Sequence, residues 1–180
     1  YMQTKELGGL QSAIAPGMWL RVQGFMELTR DGKDVQLNPQ SIMKIGHEGR
    51  KDTAREKRVE LHLHTKMSNM DALTDTASVI KQAISWGHPA IAITDHGVMY
   101  GVIDFYKYAV SKGINPIIGC EVYVAPRSRF EKVKGVDSRY THLVLLCRNN
   151  EGYRNLIKLV SAGFTEGFYS KPRIDKELLK

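Results

Sequence analysis

Cysteine is scarce in this sequence, and long apolar runs are absent. The two cysteines, Cys120 and Cys147, are too few for a disulfide framework and are not spaced as a thiolate zinc site requires. No apolar run approaches the ~20 residues of a membrane span, and no signal peptide or lipidation motif is recognisable. We therefore expect a cytoplasmic protein that has no membrane partner.

A strong charge of either sign is also missing. Lys and Arg number 26 against 19 Asp and Glu, and the net charge of +7 favours a polyanionic partner only weakly. Hydrophobic residues make up 42% and charged residues 25% of the 180 positions, which excludes a disordered tail or a fibrous repeat. The length suits one or two domains. The six histidines are more informative than the charge.

The hydrophobic pattern divides the chain into two parts, with a boundary near Lys57. Residues 1–56 have a β pattern, because apolar and polar residues alternate over 18–28 and a polar turn with Asp-Gly at its centre follows. We predict a hairpin here, with short returning strands at 35–37 and 41–45.

Residues 57–180 alternate short apolar strands with amphipathic helices. The predicted strands are 59–64, 90–94, 114–118 with an extension at 121–124, and 143–147, and the predicted helices are 75–86, 101–112 and 152–162. Repeated βα units imply a largely parallel sheet, open or closed into a barrel. In barrels the active residues cluster at the C-terminal ends of the strands, where most candidate residues of this sequence fall.

Two histidines form the first candidate site. On a strand over 59–64, His62 and His64 point to the same face, because side chains alternate with period two. Two imidazoles so placed can bind one divalent metal, although a hydrogen-bonded pair at a strand end is the commoner meaning of a bare H-x-H pattern. Asp71, in the loop that follows, either reaches back over the strand end or is a turn aspartate.

Further candidates stand beside the other apolar strands. Asp95 and His96 follow one strand directly and either enter a site or cap the next helix. Glu121 follows the next strand, where a carboxylate can bridge two metals, but a lone Glu there is usually a surface residue. His142 is an exception because it precedes its apolar run, and taken alone it indicates a capping or surface histidine.

Taken together, these residues predict a hydrolytic metal site. Four of the six histidines stand at strand boundaries with a carboxylate nearby. Histidine and carboxylate ligands without paired thiolates fit a hydrolytic site better than a structural zinc site. Bound metals lower the pKa of a water molecule and shield phosphate oxygens, so hydrolysis of a phosphate ester suits this ligand set best.

The same residues carry a resemblance to a known superfamily, PHP (polymerase and histidinol phosphatase). The similar motifs are H-x-H-T at 62–65, T-D-H-G at 94–97, G-C-E at 119–121 and T-H-L-V-L-L at 141–146. Over most of 57–180 the chain resembles the α subunits of bacterial replicative DNA polymerase III. Residues 50–72 look like the PolC type of Gram-positive bacteria, in which an OB domain precedes the PHP domain.

This resemblance implies a fold and a set of site residues. The fold would be α/β, a PHP-type distorted (β/α)7 barrel truncated at its C-terminus and preceded by a small partial OB-like β domain at 1–56. The implied metal ligands are His62, His64, Asp71, His96, Glu121 and His142. Asp95 and Glu121 would be the catalytic residues, with Asp95 orienting His96 and Glu121 bridging two metals. The remaining ligands and the polymerase carboxylates would lie beyond Lys180, so we expect a segment of a longer DNA polymerase.

The resemblance also implies cofactors, substrates and partners. The intact domain would bind up to three divalent ions, Zn or Mn, and would hydrolyse phosphodiesters, with 3′–5′ proofreading as one possible use. Primer-template DNA and replisome subunits such as the sliding clamp, bound through other regions, would be its partners. PolC-type subunits usually carry an exonuclease inserted in the PHP domain, whereas here the 127–140 segment leads directly to His142. That absence favours a proofreading role for the PHP site.

The loop between the strand predicted at 121–124 and the strand predicted at 143–147 is rich in basic residues. The loop residues that could contact nucleic acid are Arg127, Arg129, Lys132 and Lys134, and a solvated loop is the alternative. The alternatives to a catalytic site are a structural PHP scaffold, a phosphoesterase of the histidinol phosphatase type, and a module that only binds nucleic acid.

Overall fold

The computed structural model describes residues 14–46 and 49–180, which belong to two compact units. The first unit ends at Arg50 and the second is Lys51–Lys180. Asp52 precedes the boundary that the sequence suggests, but it makes its contacts within the second unit. The carboxylate of Asp52 lies 3.1 Å from His88 Nε2 and 3.5 Å from Lys57 Nζ. The second unit therefore begins a few residues before the boundary that the sequence suggests.

The described part of the first unit contains an antiparallel hairpin. Strand β1, Leu20–Leu28, pairs with β2, Val35–Lys44, and the register shifts between Gln23 and Gly24. The predicted hairpin is confirmed, but its two short returning strands are one continuous strand. Within residues 14–46 these two strands do not make an OB barrel, so the OB-like fold stays a prediction.

The second unit has a mixed sheet of four strands. These are β3, Ala90–Ile93; β4, Asn115–Val124; β5, Thr141–Leu146; and β6, Arg173–Ile174. Strand β4 lies parallel to β3 and β6 and antiparallel to β5. The expectation of a largely parallel sheet is thus wrong for β5, and closure into a barrel stays a prediction. The two segments predicted at 114–118 and 121–124 form the single strand β4.

The segment predicted as a strand over 59–64 runs beside β3 without forming a regular strand. Glu60 makes an isolated parallel bridge with Ile91. The Thr94 N–H donates to the Leu63 carbonyl at 2.9 Å, and the Thr94 hydroxyl accepts from the Leu63 N–H at 2.8 Å. A side chain therefore replaces part of the backbone ladder and holds this segment at the sheet edge.

Three helices pack on the sheet. They are α1, Thr76–Ser85; α2, Val102–Ser111; and α3, Asn150–Thr165. Asp75 caps the N-terminus of helix α1, because its carboxylate accepts from the backbone N–H groups of Ala77 and Ser78. None of the helices in the described ranges is long and apolar enough to cross a membrane.

Two apolar clusters form the core of the second unit. In the first, Ile80 of α1 and Phe105 of α2 pack with Ile91 and Ile93 of β3. In the second, alternate residues of β4 pack with α3 and β6; its buried members are Cys120, Val122, Val124, Leu156 and Ile174. This packing leaves the opposite side of β4 free to carry polar residues.

A buried arginine of β6, Arg173, holds the connection between β4 and β5. The side chain of Arg173, in β6, is fully buried, and its guanidinium donates to four backbone carbonyls. The acceptors are the carbonyls of Asp137 at 2.7 Å, Glu131 at 3.0 Å, Gly167 at 3.1 Å and Arg129 at 3.4 Å. The loop is therefore pinned to β6, close to the residue where β5 begins.

Candidate metal centre

Glu121 stands at the centre of a cluster of histidines at the ends of the strands. Its carboxylate is largely buried, in the C-terminal half of β4. One oxygen, Oε2, contacts His62 Nε2 and lies 3.0 Å from His64 Nε2. The other, Oε1, lies 2.6 Å from His142 Nδ1. The carboxylate thus joins two groups of histidines, as a bridging ligand would.

His142 reaches this cluster because β5 is antiparallel to β4. In the register, His142 pairs with Tyr123, two residues from Glu121 on the same face of β4. The start of an antiparallel strand lies at the same sheet edge as the end of its neighbour. This explains why a histidine that precedes its apolar run joins histidines that follow theirs.

His96 lies on the buried side of the cluster. The backbone of His96 forms an isolated parallel β-bridge with that of Glu121. The ring of His96 stacks on that of His64, with 4.0 Å between the ring centroids. Its Nδ1 lies 3.9 Å from Glu121 Oε2, and its Nε2 lies 3.7 Å from Asp71 Oδ2. Asp71 is half-exposed. Among the described residues, it belongs to neither of the two groups whose ligand atoms lie close enough together to hold one metal ion.

The fully buried carboxylate of Asp95 is directed to the first histidine segment. It accepts from the Thr65 N–H at 2.6 Å, the Thr65 hydroxyl at 2.8 Å and the Ser68 hydroxyl at 2.7 Å. These contacts hold the loop that follows His64. The expected contact, with the ring of the neighbouring His96, is not among the hydrogen bonds of the described residues.

The surroundings shift two pKa values of the cluster. Burial would raise the pKa of Glu121, but hydrogen bonds from His62 and His142 oppose this effect, and the pKa is lowered. Burial lowers the pKa of His96, and the neighbouring His64 lowers it further against the opposing effect of Glu121. These shifts favour the ionised form of Glu121 and the neutral form of His96, which are the forms that bind metals.

These residues fit a divalent metal. His62, His64 and Glu121 form one group of converging ligand atoms, and His96, Glu121 and His142 form another. Among the residues described, the buried Nδ1 of His96 has no hydrogen-bond partner. A buried ring nitrogen without a partner is costly unless a ligand or an ion satisfies it. Imidazole nitrogens with a carboxylate oxygen suit transition metals such as zinc.

Two of the predicted basic residues are engaged in ion pairs. Arg127 donates to both carboxylate oxygens of Asp137, at 3.0 and 2.6 Å. Arg129 is largely buried and pairs with carboxylates that come from outside its own loop; these are Glu166, Asp175 and Glu177. Both therefore stabilise the loop, whereas Lys132 and Lys134 are exposed.

Sequence reasoning missed the residues that support the ligands. Ser68 contacts both His64 and Asp95, and Tyr123 lies against His96 and His142 at 5.9 and 5.0 Å between ring centroids. Tyr140 stacks on His142 at the exposed edge. The position of Tyr123, two residues after Glu121 on a strand, is the one signal that places it on the same face.

The second unit is an α/β structure that carries histidines and a shared carboxylate at its strand ends. Its class is therefore that of proteins with a candidate metal centre. Residues 60–180 match the model of the PHP domain, and the chain belongs to that family.

Similar proteins include α subunits of DNA polymerase III. That of Chlamydia pneumoniae is 53% identical over 123 residues, covering 68% of this chain and 10% of that protein. That of Thermus aquaticus is 45% identical over 128 residues, covering 67% and 10%. The chain thus spans about a tenth of these relatives. A solved amidohydrolase from Chromobacterium violaceum, which holds sulfate and no metal, gives a TM-score of 0.40 at 23% identity, covering 58% of this chain and 34% of that one.

Proposed function

We propose that this chain is the PHP region of a bacterial replicative DNA polymerase III α subunit, and that its histidine cluster hydrolyses phosphodiesters at a primer 3′ end. The observation that carries the proposal is the position of Glu121, with one oxygen toward His142 and the other toward His62 and His64. Similarity to DNA polymerase III α subunits supports DNA as the substrate.

Two groups of residues would hold divalent ions, Zn or Mn. His62 and His64 would bind one ion with Glu121, and His96 and His142 would bind a second with the same carboxylate. Each group offers three protein ligands, and catalytic metal sites keep a further position for water or substrate. Bound metals of this kind lower the pKa of a water molecule and neutralise charge on phosphate oxygens.

The residues of the chain would divide the remaining work. His62 and His142 are 51% and 40% exposed, whereas His96 is 15% exposed, so a DNA end would approach from the side of His62 and His142. Glu121, with its lowered pKa, would remain ionised and keep both groups together. Asp95 would act as a positioning residue rather than a catalytic one, because its hydrogen bonds hold the loop after His64.

The exposed lysines of the loop between β4 and β5 would contact the DNA backbone. Lys132 and Lys134 are free to do so as solvated cations, while Arg127 and Arg129 hold the loop in place. The whole polymerase would work in the bacterial cytoplasm with other replisome subunits. The PolC type and single-strand binding by an OB-like first unit remain parts of this proposal.

A nuclease assay tests the proposal. The chain, loaded with Mn²⁺ or Zn²⁺, is incubated with a 5′-labelled primer that has a mismatched 3′ nucleotide on its template. We expect stepwise shortening from the 3′ end, lost in Glu121→Gln and retained in Glu151→Gln, a change of an exposed residue on α3. A metal-loaded chain that leaves the primer intact contradicts catalysis and favours a structural role. Release of phosphate from histidinol phosphate without cleavage of DNA favours the small-molecule reaction.

A further inference from the structure

Lys171 lies beside the candidate metal centre and belongs to neither of its ligand groups. Its Nζ is 5.3 Å from the centroid of the Tyr123 ring. The same ring lies against two histidines of the cluster, with its centroid 5.0 Å from that of His142 and 5.9 Å from that of His96. The ammonium group and the candidate ligands therefore share one aromatic neighbour.

The sheet brings Lys171 to this place from a distant part of the chain. Strand β6 lies parallel to the end of β4, with Arg173 paired to Tyr123. Lys171 precedes Arg173 by two residues, and Glu121 precedes Tyr123 by two residues. The same register, carried back along both segments, therefore brings Lys171 level with the shared carboxylate of Glu121.

The backbone on both sides of Lys171 is tightly constrained. Pro172 packs against two glycines: a Cβ on Gly97 would lie 3.0 Å from Pro172 Cγ, and a Cβ on Gly163 would lie 3.3 Å from the Pro172 carbonyl carbon. Ser170 has a φ of 61°, in the left-handed region that residues other than glycine rarely adopt. Strain of this kind persists only where the surrounding structure imposes it, and it is concentrated at functional sites. The position of Lys171 is therefore imposed by its neighbours.

The positive charge of Lys171 is not balanced within the part of the chain that the structure describes. The side chain is partly buried, and no carboxylate of residues 14–46 and 49–180 forms an ion pair with it. Arg127 and Arg129, by contrast, both pair with carboxylates. Cations that are removed from water are usually paired, and attraction to an aromatic ring offsets only part of the lost hydration. A bound anion would therefore stabilise the ammonium group in this position.

We propose that Lys171 forms a phosphate-binding subsite beside the metal centre, in which its ammonium group pairs with a non-bridging phosphate oxygen of the DNA end. Lysine binds phosphate as a compact point charge. The metal ligands converge on Glu121, and Lys171 adds a positive charge on the side of Tyr123. His142, which is 40% exposed and lies against Tyr123, leaves this side open to a substrate. The choice of a DNA phosphate as the anion rests on the proposed function.

Calorimetric titration with thymidine 5′-monophosphate tests the subsite through binding alone. It is run on the 180-residue chain with and without Zn²⁺, and thymidine serves as the same ligand without its phosphate. Because a hydrogen bond to a charged group is lost, Lys171→Met should weaken nucleotide binding by about 10-fold or more. Lys171→Arg keeps the charge and should retain most of the affinity. Lys158→Met, on the exposed side of α3, is the matched control and should bind the nucleotide as the native chain does.

Equal nucleotide affinities of the native chain and Lys171→Met would overturn the proposal, and so would a native chain that binds no nucleotide with or without Zn²⁺. A matching loss of thymidine affinity or of zinc content in Lys171→Met would overturn it too, since Lys171 would then act only through the fold.

Acetylation of the native chain, followed by mass spectrometry, decides the matter even if Lys171→Met does not fold. The nucleotide should slow the acetylation of Lys171 and leave that of Lys158 unchanged, and an unchanged rate at Lys171 overturns the proposal. A chain that shows the Lys171 effect but shortens no primer would contradict the proposed nuclease function and leave the phosphate subsite standing. A chain that shortens the primer while Lys171→Met binds the nucleotide normally would do the reverse.

Discussion

Replacing Arg173 by Met removes the buried guanidinium that joins four backbone carbonyls around the loop between β4 and β5. Met fills much of the space of the Arg stem, so the main loss is polar. A hydrogen bond to a charged group contributes about 1.5–3 kcal/mol, and the four are not additive. Each buried carbonyl that is left without a donor costs about 1–3 kcal/mol. We expect Arg173→Met to lower the free energy of unfolding by about 3–5 kcal/mol.

Urea unfolding measures this loss in the second unit. Trp86 lies in that unit and Trp19 in the first, so both proteins carry Trp19→Phe and the fluorescence reports Trp86. Arg154→Met, on the exposed side of α3, is the matched control and should change stability by less than about 0.5 kcal/mol. If Arg173→Met costs under about 1 kcal/mol, the inference that these four contacts stabilise the second unit is refuted.

Three further predictions concern the same loop and its surroundings. A Cβ at Gly167 would overlap the backbone carbonyl oxygen of Arg173 in β6. Gly167→Ala should therefore destabilise the second unit by about 1–3 kcal/mol in the same urea experiment. Hydrogen bonds from Arg127 lower the pKa of Asp137, so their stabilisation is present above the unfolded pKa of about 3.9 and is lost as the pH falls through the folded value. Thermal melts should therefore show a smaller fall in melting temperature from pH 7 to pH 2 for Asp137→Asn than for the native chain, and an equal fall in the two proteins refutes this. Replacing Lys132 and Lys134 by Gln should weaken the binding of single-stranded DNA, as measured by a fluorescence titration. The slope of log K against log salt concentration should decrease in magnitude by about 0.7 per lysine. An unchanged slope would mean that the loop is solvated and does not contact the DNA.

The placement of His142 shows what the sequence can and cannot predict about the site. Four histidines and Glu121 were recognised from their positions beside apolar strands, and all five side chains converge in the structure. The direction of β5 was predicted wrongly, because an apolar run has the same pattern whether its strand is parallel or antiparallel. The pairing of β5 with β4 decides that direction and brings His142 to the edge where the other ligands lie.

The supporting contacts could not be predicted for a different reason. Arg173 and Arg129 look like ordinary surface cations in the sequence, and their burial depends on carbonyls and carboxylates that lie far away along the chain. Likewise, the partners of Asp95 are Thr65 and Ser68 rather than its neighbour His96, since the strand end turns its carboxylate toward the first histidine segment. Tertiary contacts of this kind leave no periodic signal.

The metal content of the chain is the most direct test of the central claim that the histidine cluster is a metal centre. The chain is loaded with Zn²⁺ or Mn²⁺, dialysed and examined by elemental analysis beside Glu121→Gln and Glu151→Gln. Glu121 is shared by both ligand groups, so the account predicts stoichiometric metal in the native chain and in Glu151→Gln, with a large loss in Glu121→Gln. A native chain without bound metal, or a Glu121→Gln chain that retains as much as the native one, would contradict it.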